Sequence, residues 1–499
     1  MKIVLASLVR AGLALFALSA GACSDAQGVT RAQLLPSWPL NLTREESFRS
    51  VEPPLGARRP WSPPSVERWM LANGLAVYFV PRPSSGSVRV SLVARHAGTQ
   101  DVRDAPGVAL LAASLLSRGT TAHPAGAHFL ALRSLGAVMG VDVSGVSMEV
   151  SVAATAAQLA PATALLGEAV TSPQWSPEIF ARELDVQRDV RRIYASRVAT
   201  LGVSLAAQAR DGAHSTARPH TGTLAQIGAL DEARVREFYG RHFNALNCAV
   251  LVVGGATRAD VEAAISAAFA RLPASGAALE APSEPVSISR GEPRWRVYDN
   301  EDAPNATITI AWPTDVEGAP GYAASRVLEE GLGSMFSSRL NRVLRERFGV
   351  TYGVQSARYI AEERSFVAAR ITVDVDLVAV ALETALQQLG AVYTSGFTEG
   401  EVEAGKARLR DEFVARFETD DGVVDALRAL VERGRTPEAW AADLAAIDAV
   451  DVAAVRNAAT RQLYPLHIGG SIVGALDRFG ARLRSEYPAL RWSVATVSP

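Results

Sequence analysis

Hydrophobic and polar positions alternate in two short stretches that follow the proline-rich N-terminal part of the chain. Residues 75–79 alternate after a turn signal at Asn73-Gly74, and residues 88–92 continue the alternation beyond a loop. Alternation on both sides of a turn predicts a β-hairpin. The spacing then changes, because apolar side chains in residues 107–118 recur at helical intervals. We therefore predict a helix after the hairpin.

The same order of predicted elements occurs twice. In the first half, a strand at 147–153 is followed by a helix at 159–170. In the second half, a strand at 366–375 is followed by a helix at 377–392 with a similar sequence around it. Self-similarity over so long a period indicates that a whole domain was duplicated. The chain is therefore predicted to contain two α/β domains of about 200 residues each.

Two predicted helix starts carry complete capping signals. Ser176 precedes Pro177, which suits the first helical position because proline has no backbone donor to lose there. Thr398 is followed by Glu401 at the spacing of a capping box. We predict that long helices start at both positions.

Proline-rich and small-residue stretches set the predicted domain boundaries. Residues 24–64 are rich in proline and are predicted to be a tether. Residues 273–293 are rich in Ala, Ser, Pro and Glu and are predicted to be an interdomain linker. The two domains are accordingly assigned to residues 65–272 and 294–499.

The N-terminus has the pattern of an export signal. Lys2 and Arg10 flank a short apolar run, and a second run at 13–20 leads to Cys23. These runs are too short to span a membrane. The small residues before Cys23 resemble a bacterial lipoprotein processing site, so residues 1–23 are predicted to be a signal peptide whose cysteine becomes lipidated. Ordinary signal cleavage nearby is the alternative, and in both cases we expect export to the bacterial periplasm, with membrane attachment if the lipid is added.

Composition and charge narrow the function classes. The chain has 499 residues, of which 48% are hydrophobic and 20% charged, an ordinary globular composition. Its net charge of −2 gives no electrostatic reason to expect a nucleic-acid partner. The two cysteines, Cys23 and Cys248, do not suggest a disulfide framework, and Cys248 lies in a buried-strand pattern.

The predicted helix over residues 107–120 reads GVALLAASLLSRGT and resembles the active-site helix of the insulinase/pitrilysin metallopeptidases. That helix runs G-x-A-H-x-x-E-H-x-x-x-x-G-T. The chain matches its frame at four positions, which are Gly107, Ala109, Gly119 and Thr120. The three functional positions instead hold Leu110, Ala113 and Ser114. We expect the helix to keep its place in the fold without its chemistry.

These substitutions remove the metal chemistry of the family. There, two imidazoles one helical turn apart bind one zinc ion, and the Glu between them activates the zinc-bound water. Leu and Ala have no lone pair, and a Ser hydroxyl is a poor zinc ligand. The family's third ligand, a Glu on a later helix, aligns with Val190. The neighbouring Asp189 cannot hold zinc tightly alone and is expected on a solvated helix face, so we expect this chain to bind no cofactor.

The histidines do not offer a replacement ligand set. No two of the seven are four residues apart, and no histidine occurs from Ala97 to Ala122. His214 and His220 fall in a loop-like stretch. Isolated histidines of this kind are weak evidence for a metal site.

Residues 331–354 are the part of the second half that most resembles the family. Arg345 is predicted in the last turn of a helix over 336–347, which Gly349 ends in the left-handed conformation, and Tyr352 follows on a strand. A guanidinium and a phenol are donors that can hold a peptide carbonyl or a developing oxyanion. By resemblance, this pair helps bind substrate over the zinc. The alternative is that Arg345 pairs with a neighbouring carboxylate and Tyr352 fills the core.

The resemblance covers about residues 66 to 490 and implies an α+β fold. The fold would consist of two homologous insulinase-like α/β domains in a clamshell arrangement. Each domain would be a sheet with helices packed on it. In some members of the family, one chain carries HxxEH and a second chain lacks it but supplies the Arg/Tyr pair. The resemblance therefore implies a zinc-less, substrate-binding subunit of a two-chain metallopeptidase that acts on peptides in the cell envelope. Such a chain would be inactive alone, and zinc would reside in a homologous HxxEH-containing partner.

Two other functions stay open at this stage. The chain could be a non-catalytic envelope scaffold or a peptide-binding protein, as with family members reused as structural subunits. The residues at the ligand positions oppose a stand-alone enzyme. An adjacent gene for a homologue with an intact HxxEH motif would favour the two-chain peptidase.

Overall fold

The structure is a computed structural model, and it describes residues 61–99, 105–124, 126–212, 221–274, 294–301, 303–360 and 365–495. The predicted signal peptide with Cys23, most of the predicted tether and most of the predicted linker lie outside these ranges. His214 and His220 also lie outside them.

The first sheet has six strands in the order β1-β2-β6-β3-β5-β4. They are β1 (Glu67–Met70), β2 (Ala76–Pro81), β3 (Ser87–Arg95), β4 (Val138–Val143), β5 (Ser147–Thr155) and β6 (Cys248–Gly254). β2 and β6 run parallel, and the other neighbours pair antiparallel. The two strands predicted as a hairpin exist, but the hairpin itself is wrong: β2 and β3 do not pair, because β6 from the end of the first half lies between them.

The second sheet has six strands in the order β12-β7-β11-β8-β10-β9. They are β7 (Trp295–Asp299), β8 (Asn305–Pro313), β9 (Val354–Tyr359), β10 (Phe366–Asp374), β11 (Gly469–Gly474) and β12 (Trp492–Val494). The run β7-β11-β8-β10-β9 repeats the run β2-β6-β3-β5-β4 strand for strand. This common topology confirms the predicted α+β fold of two homologous domains.

Helices cover both sheets. Those of the first half are α1 (Val108–Leu116), α2 (Ala127–Ser134), α3 (Leu159–Thr171), α4 (Pro177–Ser196), α5 (Val198–Asp211), α6 (Leu224–Gly228), α7 (Glu232–His242) and α8 (Arg258–Phe269). Those of the second half are α9 (Tyr322–Glu329), α10 (Arg339–Asn341), α11 (Val378–Ser395), α12 (Glu399–Ala415), α13 (Asp420–Glu432), α14 (Ala439–Asp448), α15 (Val452–Gln462) and α16 (Leu476–Glu486). Two π-helices, Glu330–Ser334 and Arg342–Arg347, flank α10.

Strand alternation explains the two faces of the first sheet. Val88, Val90 and Leu92 of β3 pack in the core beneath the helices of the first half. Arg89 and Ser91 alternate with them and point to the opposite face, because successive side chains on a strand point in opposite directions. That second face is covered by a helix from the other half of the chain.

Each sheet is completed by a helix from the other half. α5 packs on β8 and β11, where Ser471 Oγ donates a 2.6 Å hydrogen bond to the carbonyl of Gly202. A side chain at Gly202 would lie 2.8 Å from Thr309 Oγ1, so glycine permits this close approach. In return, α13 packs on β3 and β6. Residues from Trp61 onward therefore belong to one compact unit.

A buried charge network lies where α13 meets the first sheet. Glu149 of β5 is 3% exposed and accepts hydrogen bonds from Ser91 Oγ at 2.7 Å and from Arg428 at 3.2 Å. Arg428 of α13 also donates to Asp142 at 2.6 Å. Although burial disfavours its charge, the carboxylates of Glu432, Asp142 and Glu149 raise the pKa of Arg428 above its ordinary value. The opposite charges compensate one another where Glu149 and Arg428 are buried, whereas Asp142 lies at the exposed edge of the network.

Both capping predictions are confirmed. Ser176 Oγ accepts a hydrogen bond from the backbone N–H of Ile179 at the start of α4. Thr398 and Glu401 form the reciprocal capping box at the start of α12. These local signals work because the side chains satisfy backbone donors that the first helical turn leaves unpaired.

Two predictions around the second-half motif need correction. The helix predicted over 336–347 is replaced by α10 and the π-helix Arg342–Arg347, and the predicted strand starts only at Val354. The backbone N–H groups of Gly349 and Val350 bond back to Arg345 and Leu344, so they are not free for strand pairing. Gly349 has a φ of 62°, the left-handed conformation expected for it.

Candidate functional site

α1 occupies the place of the resembled active-site helix. It begins after Gly107, whose φ of 94° favours glycine, and its Leu111 side chain is fully buried. Ala113 is 8% exposed, and Leu110 and Ser114 are half-buried on the same helix. The three positions that would carry the metal chemistry therefore present a methyl, an isobutyl and a hydroxyl group.

α4 packs against α1, as the third-ligand position requires. Val190 is half-buried on α4 and offers no lone pair. Asp189 is exposed and pairs with Arg192 at 2.6 Å, which confirms the interpretation of a solvated helix face. The contact between the helices is structural, because Gln187 Nε2 donates to the carbonyl of Gly107 at 2.9 Å.

A buried carboxylate on α4, that of Glu183, forms ion pairs. Glu183 of α4 is 1% exposed, and Arg118, just beyond α1, approaches it at 2.8 Å. Arg182 contacts the same carboxylate at 3.2 Å. Two guanidiniums neutralise Glu183, so the carboxylate is already committed to an ionic role between the helices.

The described ranges contain no group of three or more His, Cys, Asp or Glu side chains placed to hold a metal ion. His123 Nδ1 lies 2.7 Å from Glu168 Oε2, and His128 Nε2 lies 3.0 Å from the carbonyl of Leu165. Both histidines thus have local hydrogen-bond partners.

The second-half motif forms an exposed loop and helix structure. Tyr352 is fully exposed, and Arg345 lies in the π-helix Arg342–Arg347. The guanidinium carbon of Arg345 lies 3.7 Å from the centroid of the Phe336 ring, the geometry of a cation–π contact. The alternative considered from sequence, a buried tyrosine and an ion-paired arginine, does not describe this arrangement.

Phe336 is a site residue that the sequence analysis missed. It precedes α10 and is 67% exposed, which is unusual for a ring of its size. Its ring lies under the Arg345 guanidinium and stabilises it by a cation–π contact. The available signal was a large aromatic residue two positions after the segment Gly331 to Ser334.

Asn341 is a second missed residue, and its amide holds the motif together. It is 4% exposed, and its Oδ1 accepts a 2.7 Å hydrogen bond from the N–H of Val354. Its Nδ2 donates to the carbonyl of Met335 at 3.0 Å and to that of Val354 at 3.3 Å. One side chain therefore ties the loop before Phe336 to the segment after Tyr352. Its only signal was a polar residue between the apolar Leu340 and Leu344.

An ion pair fixes the start of this motif to α12. Arg339 of α10 contacts both carboxylate oxygens of Glu401, at 2.6 and 2.7 Å. Although partial burial opposes ionisation, hydrogen bonds from Arg339 and Thr398 lower the pKa of Glu401 to about 2. Arg339 is thus committed to a structural ion pair, whereas Arg345 stays available to a ligand.

Comparison with known proteins identifies related sequences. The family model described as the Peptidase M16 inactive domain matches residues 229–409. An uncharacterized zinc protease of Mycobacterium tuberculosis is 24% identical over 264 residues, which are 53% of this chain and 60% of that protein. An uncharacterized zinc protease of Streptomyces coelicolor is 29% identical over 152 residues, or 29% of this chain and 32% of that protein. The chain therefore matches less than two thirds of the length of these relatives.

Solved structures share the fold over most of the chain. A peptidase M16 inactive domain from Pseudomonas fluorescens aligns with a TM-score of 0.74 and 22% identity, covering 82% of this chain and 98% of that one. A protease from Helicobacter pylori aligns with a TM-score of 0.73 and 17% identity, covering 82% and 99%. At these identities the likeness establishes the fold and not the activity. The family model, the relatives and the fold together support the resemblance of this chain to the insulinase-like (M16) peptidases, with a degenerate motif at the zinc positions.

Proposed function

We propose that the chain is the substrate-binding subunit of a two-chain metallopeptidase, in which a homologous HxxEH-containing partner holds the catalytic zinc. The chain would be inactive alone and would act on peptides in the cell envelope. The observation that carries the proposal is the contrast between the two halves. α1 keeps its frame but has Leu110, Ala113 and Ser114 at the functional positions, whereas Arg345 and Tyr352 are accessible in the second half.

The geometry around Arg345 and Tyr352 supports a role in binding. The stacked guanidinium and the exposed phenol are hydrogen-bond donors that need no metal. Placed over a partner's zinc site, they can hold the substrate carbonyl and stabilise the oxyanion that forms on attack by zinc-bound water. Substrate would then bind between the two subunits.

Turnover by the reconstituted pair tests the proposal. Arg345→Ala or Tyr352→Phe, mixed with the HxxEH-containing homologue from the same organism, should lower the peptidase rate on the order of a hundredfold, the usual cost of one oxyanion donor. The two chains should still associate by size-exclusion chromatography, because neither change opens a large cavity.

Matched controls separate chemistry from folding. Arg484 is also exposed and also stacks on a ring, 4.7 Å from the centroid of Trp492, and Tyr464 is a partly exposed tyrosine of the same half. Arg484→Ala and Tyr464→Phe should leave the rate unchanged. Full activity of both motif variants in the complex would contradict the proposal and favour a role as a non-catalytic scaffold.

We further propose that the mature chain is a periplasmic lipoprotein anchored through Cys23. The support is the export-signal pattern and the small residues before the cysteine. The wild-type protein should partition into detergent, and Cys23→Ala should release it or block its maturation. A mature protein with an unmodified N-terminus elsewhere, seen by mass spectrometry, would contradict the lipid anchor but not export.

A further inference from the structure

A cleft of about 290 Å³ lies where α9, α12 and α14 pack together in the second half. Part of its lining is apolar and is supplied by Leu409, Phe413, Ala442, Ala446 and Ile447. Charged side chains of both signs also line it, namely Glu317, Arg326, Glu412, Arg416, Arg435 and Asp443. Ligand sites usually have volumes of about 300–1,000 Å³, so this cleft, which we call the second-half cleft, suits a small molecule.

Arg435 is one of the cations in the cleft, and the protein itself neutralises it. Its guanidinium donates to the two carboxylate oxygens of Asp443 at 3.0 and 2.6 Å and to Glu317 at 3.3 Å. A bidentate pair of this kind uses the donors in a fixed geometry. Arg435 and its two carboxylates are therefore committed to one another.

Glu412 of α12 is neutralised only weakly. Its carboxylate lies 3.4 Å from Arg326, whereas a charge-assisted hydrogen bond measures about 2.7–2.9 Å. Arg326 is shared with two further carboxylates, because Glu329 lies 3.5 Å and Glu330 lies 3.6 Å from it. The Glu412 side chain is also 39% exposed, so its oxygens can accept hydrogen bonds from a cationic group of a ligand.

Arg416 supplies the opposite charge on the same face of α12. It continues the helical geometry, because its backbone N–H bonds to the carbonyl of Glu412 at 3.1 Å. Side chains four residues apart on a helix are neighbours. Within the part of the chain that the structure describes, Arg416 forms no ion pair, and its guanidinium carbon lies 5.9 Å from the ring centroid of Phe413. An unpaired guanidinium and a weakly neutralised carboxylate therefore adjoin an apolar ring in one cleft.

We propose that the second-half cleft binds a small zwitterion of the α-amino acid class with an apolar side chain. Arg416 binds the carboxylate of the ligand, Glu412 binds its ammonium group, and the apolar lining contacts its side chain. A simple anion would be repelled by Glu412 and a simple cation by Arg416, whereas a zwitterion complements both charges. This inference goes beyond the proposed function and depends neither on the partner subunit nor on zinc.

Isothermal titration calorimetry with the full-length chain tests the class of ligand. The four probes are leucine, leucinamide without the carboxylate, N-acetylleucine without the ammonium group, and leucyl-leucine, in which the two charges lie farther apart. Leucine should bind at one site per chain. Its affinity should exceed that of each other probe by about tenfold or more, the usual effect of losing a hydrogen bond between charged groups.

Variants of the two charged residues assign each end of the ligand. Arg416→Gln should weaken leucine binding and abolish the preference over leucinamide, while the preference over N-acetylleucine remains. Glu412→Gln should abolish the preference over N-acetylleucine and keep the preference over leucinamide. Because each variant removes a different preference, a general loss of structure would not reproduce this pattern.

Two further variants serve as a block and a control. Ala446 lies exposed on α14 and lines the cleft, so Ala446→Trp should fill the cleft and weaken leucine binding without disturbing the core. Arg484→Gln removes a guanidinium that also lies beside a ring, 4.7 Å from the centroid of Trp492, and should leave leucine binding unchanged.

Three outcomes would overturn the inference. Equal affinities for leucine, leucinamide and N-acetylleucine would contradict recognition of a zwitterion. Tighter binding of leucyl-leucine than of leucine would exclude the α-amino acid class. Absence of leucine binding at about 10 mM would contradict a binding site in the cleft. The proposed function would stand in each case, because it rests on Arg345 and Tyr352.

Discussion

At the scale of single residues, the sequence shows which zinc ligands are missing. It does not show all of the residues that support Arg345 and Tyr352. The helix was predicted from its match to the family at Gly107, Ala109, Gly119 and Thr120. The same alignment showed that the zinc ligands are missing, because the identity of a residue determines whether it can bind a metal. Arg345 and Tyr352 were likewise predicted. Phe336 and Asn341 were not, because a stacking partner and a buried amide clamp depend on which segments the fold brings together.

Asn341 gives a prediction at this scale. Asn341→Ala should destabilise the protein by about 1–3 kcal/mol, because it leaves the buried N–H of Val354 without its partner. Loss of the clamp should also speed amide hydrogen exchange in residues 350–356 and weaken peptide binding. Asn341→Asp keeps the acceptor for Val354 but turns a carboxylate oxygen toward the carbonyls of Met335 and Val354 in a buried site, so at pH 7 it should be at least as destabilising as Asn341→Ala.

Hydrogen exchange distinguishes this role from general destabilisation. Amides of β7, which lies away from the clamp in the same sheet, should exchange at the wild-type rate under native conditions. Unchanged exchange in residues 350–356 of Asn341→Ala would contradict the positioning role of the amide.

At the scale of elements, strands and capped helices followed from the sequence, but the π-helices did not. Alternation and capping are local, so they predicted the strands and the starts of α4 and α12. The sequence predicted one helix over 336–347, yet residues 335–338 lie outside the helices, where Asn341 bonds to the carbonyl of Met335, and Gly349 follows the end of the second π-helix. Such i to i+5 turns are set by tertiary contacts and often occur at functional sites.

The ion pair between α10 and α12 predicts a pH dependence. The folded-state pKa of Glu401 is about 2, below its ordinary value of 4.5. Its contribution to stability is therefore present above about pH 4.5 and is lost as the pH falls toward 2. Glu401→Gln should lower the free energy of unfolding by about 1–2 kcal/mol at pH 7, and this difference should shrink below pH 4.5.

The control for this prediction is an exposed pair. Glu486 binds Arg482 at 2.9 Å on the surface of α16, and Glu486→Gln should leave the free energy of unfolding nearly unchanged at pH 7 because water screens this pair. Urea unfolding monitored by circular dichroism gives both values. A loss in Glu401→Gln that stayed constant from pH 7 to pH 3 would count against the ionised Glu401–Arg339 pair.

At the scale of the whole molecule, the duplication was visible in the sequence and the helix exchange was not. Repeated element order predicted two sheets of the same topology. An apolar helix face does not specify which sheet it will cover, so nothing in α5 or α13 indicated that each completes the other half. The exchange joins the degenerate half and the half with Arg345 and Tyr352 into one unit.

The most direct test of the central claim, that the catalytic metal belongs to the partner, is the zinc-to-protein ratio measured by elemental analysis. The purified full-length chain, loaded with zinc and then dialysed, should retain no stoichiometric zinc, because Leu110, Ala113, Ser114 and Val190 supply no adequate ligand set. The complex with the HxxEH-containing homologue should retain one zinc per pair. One tightly held zinc in the chain alone would contradict the account.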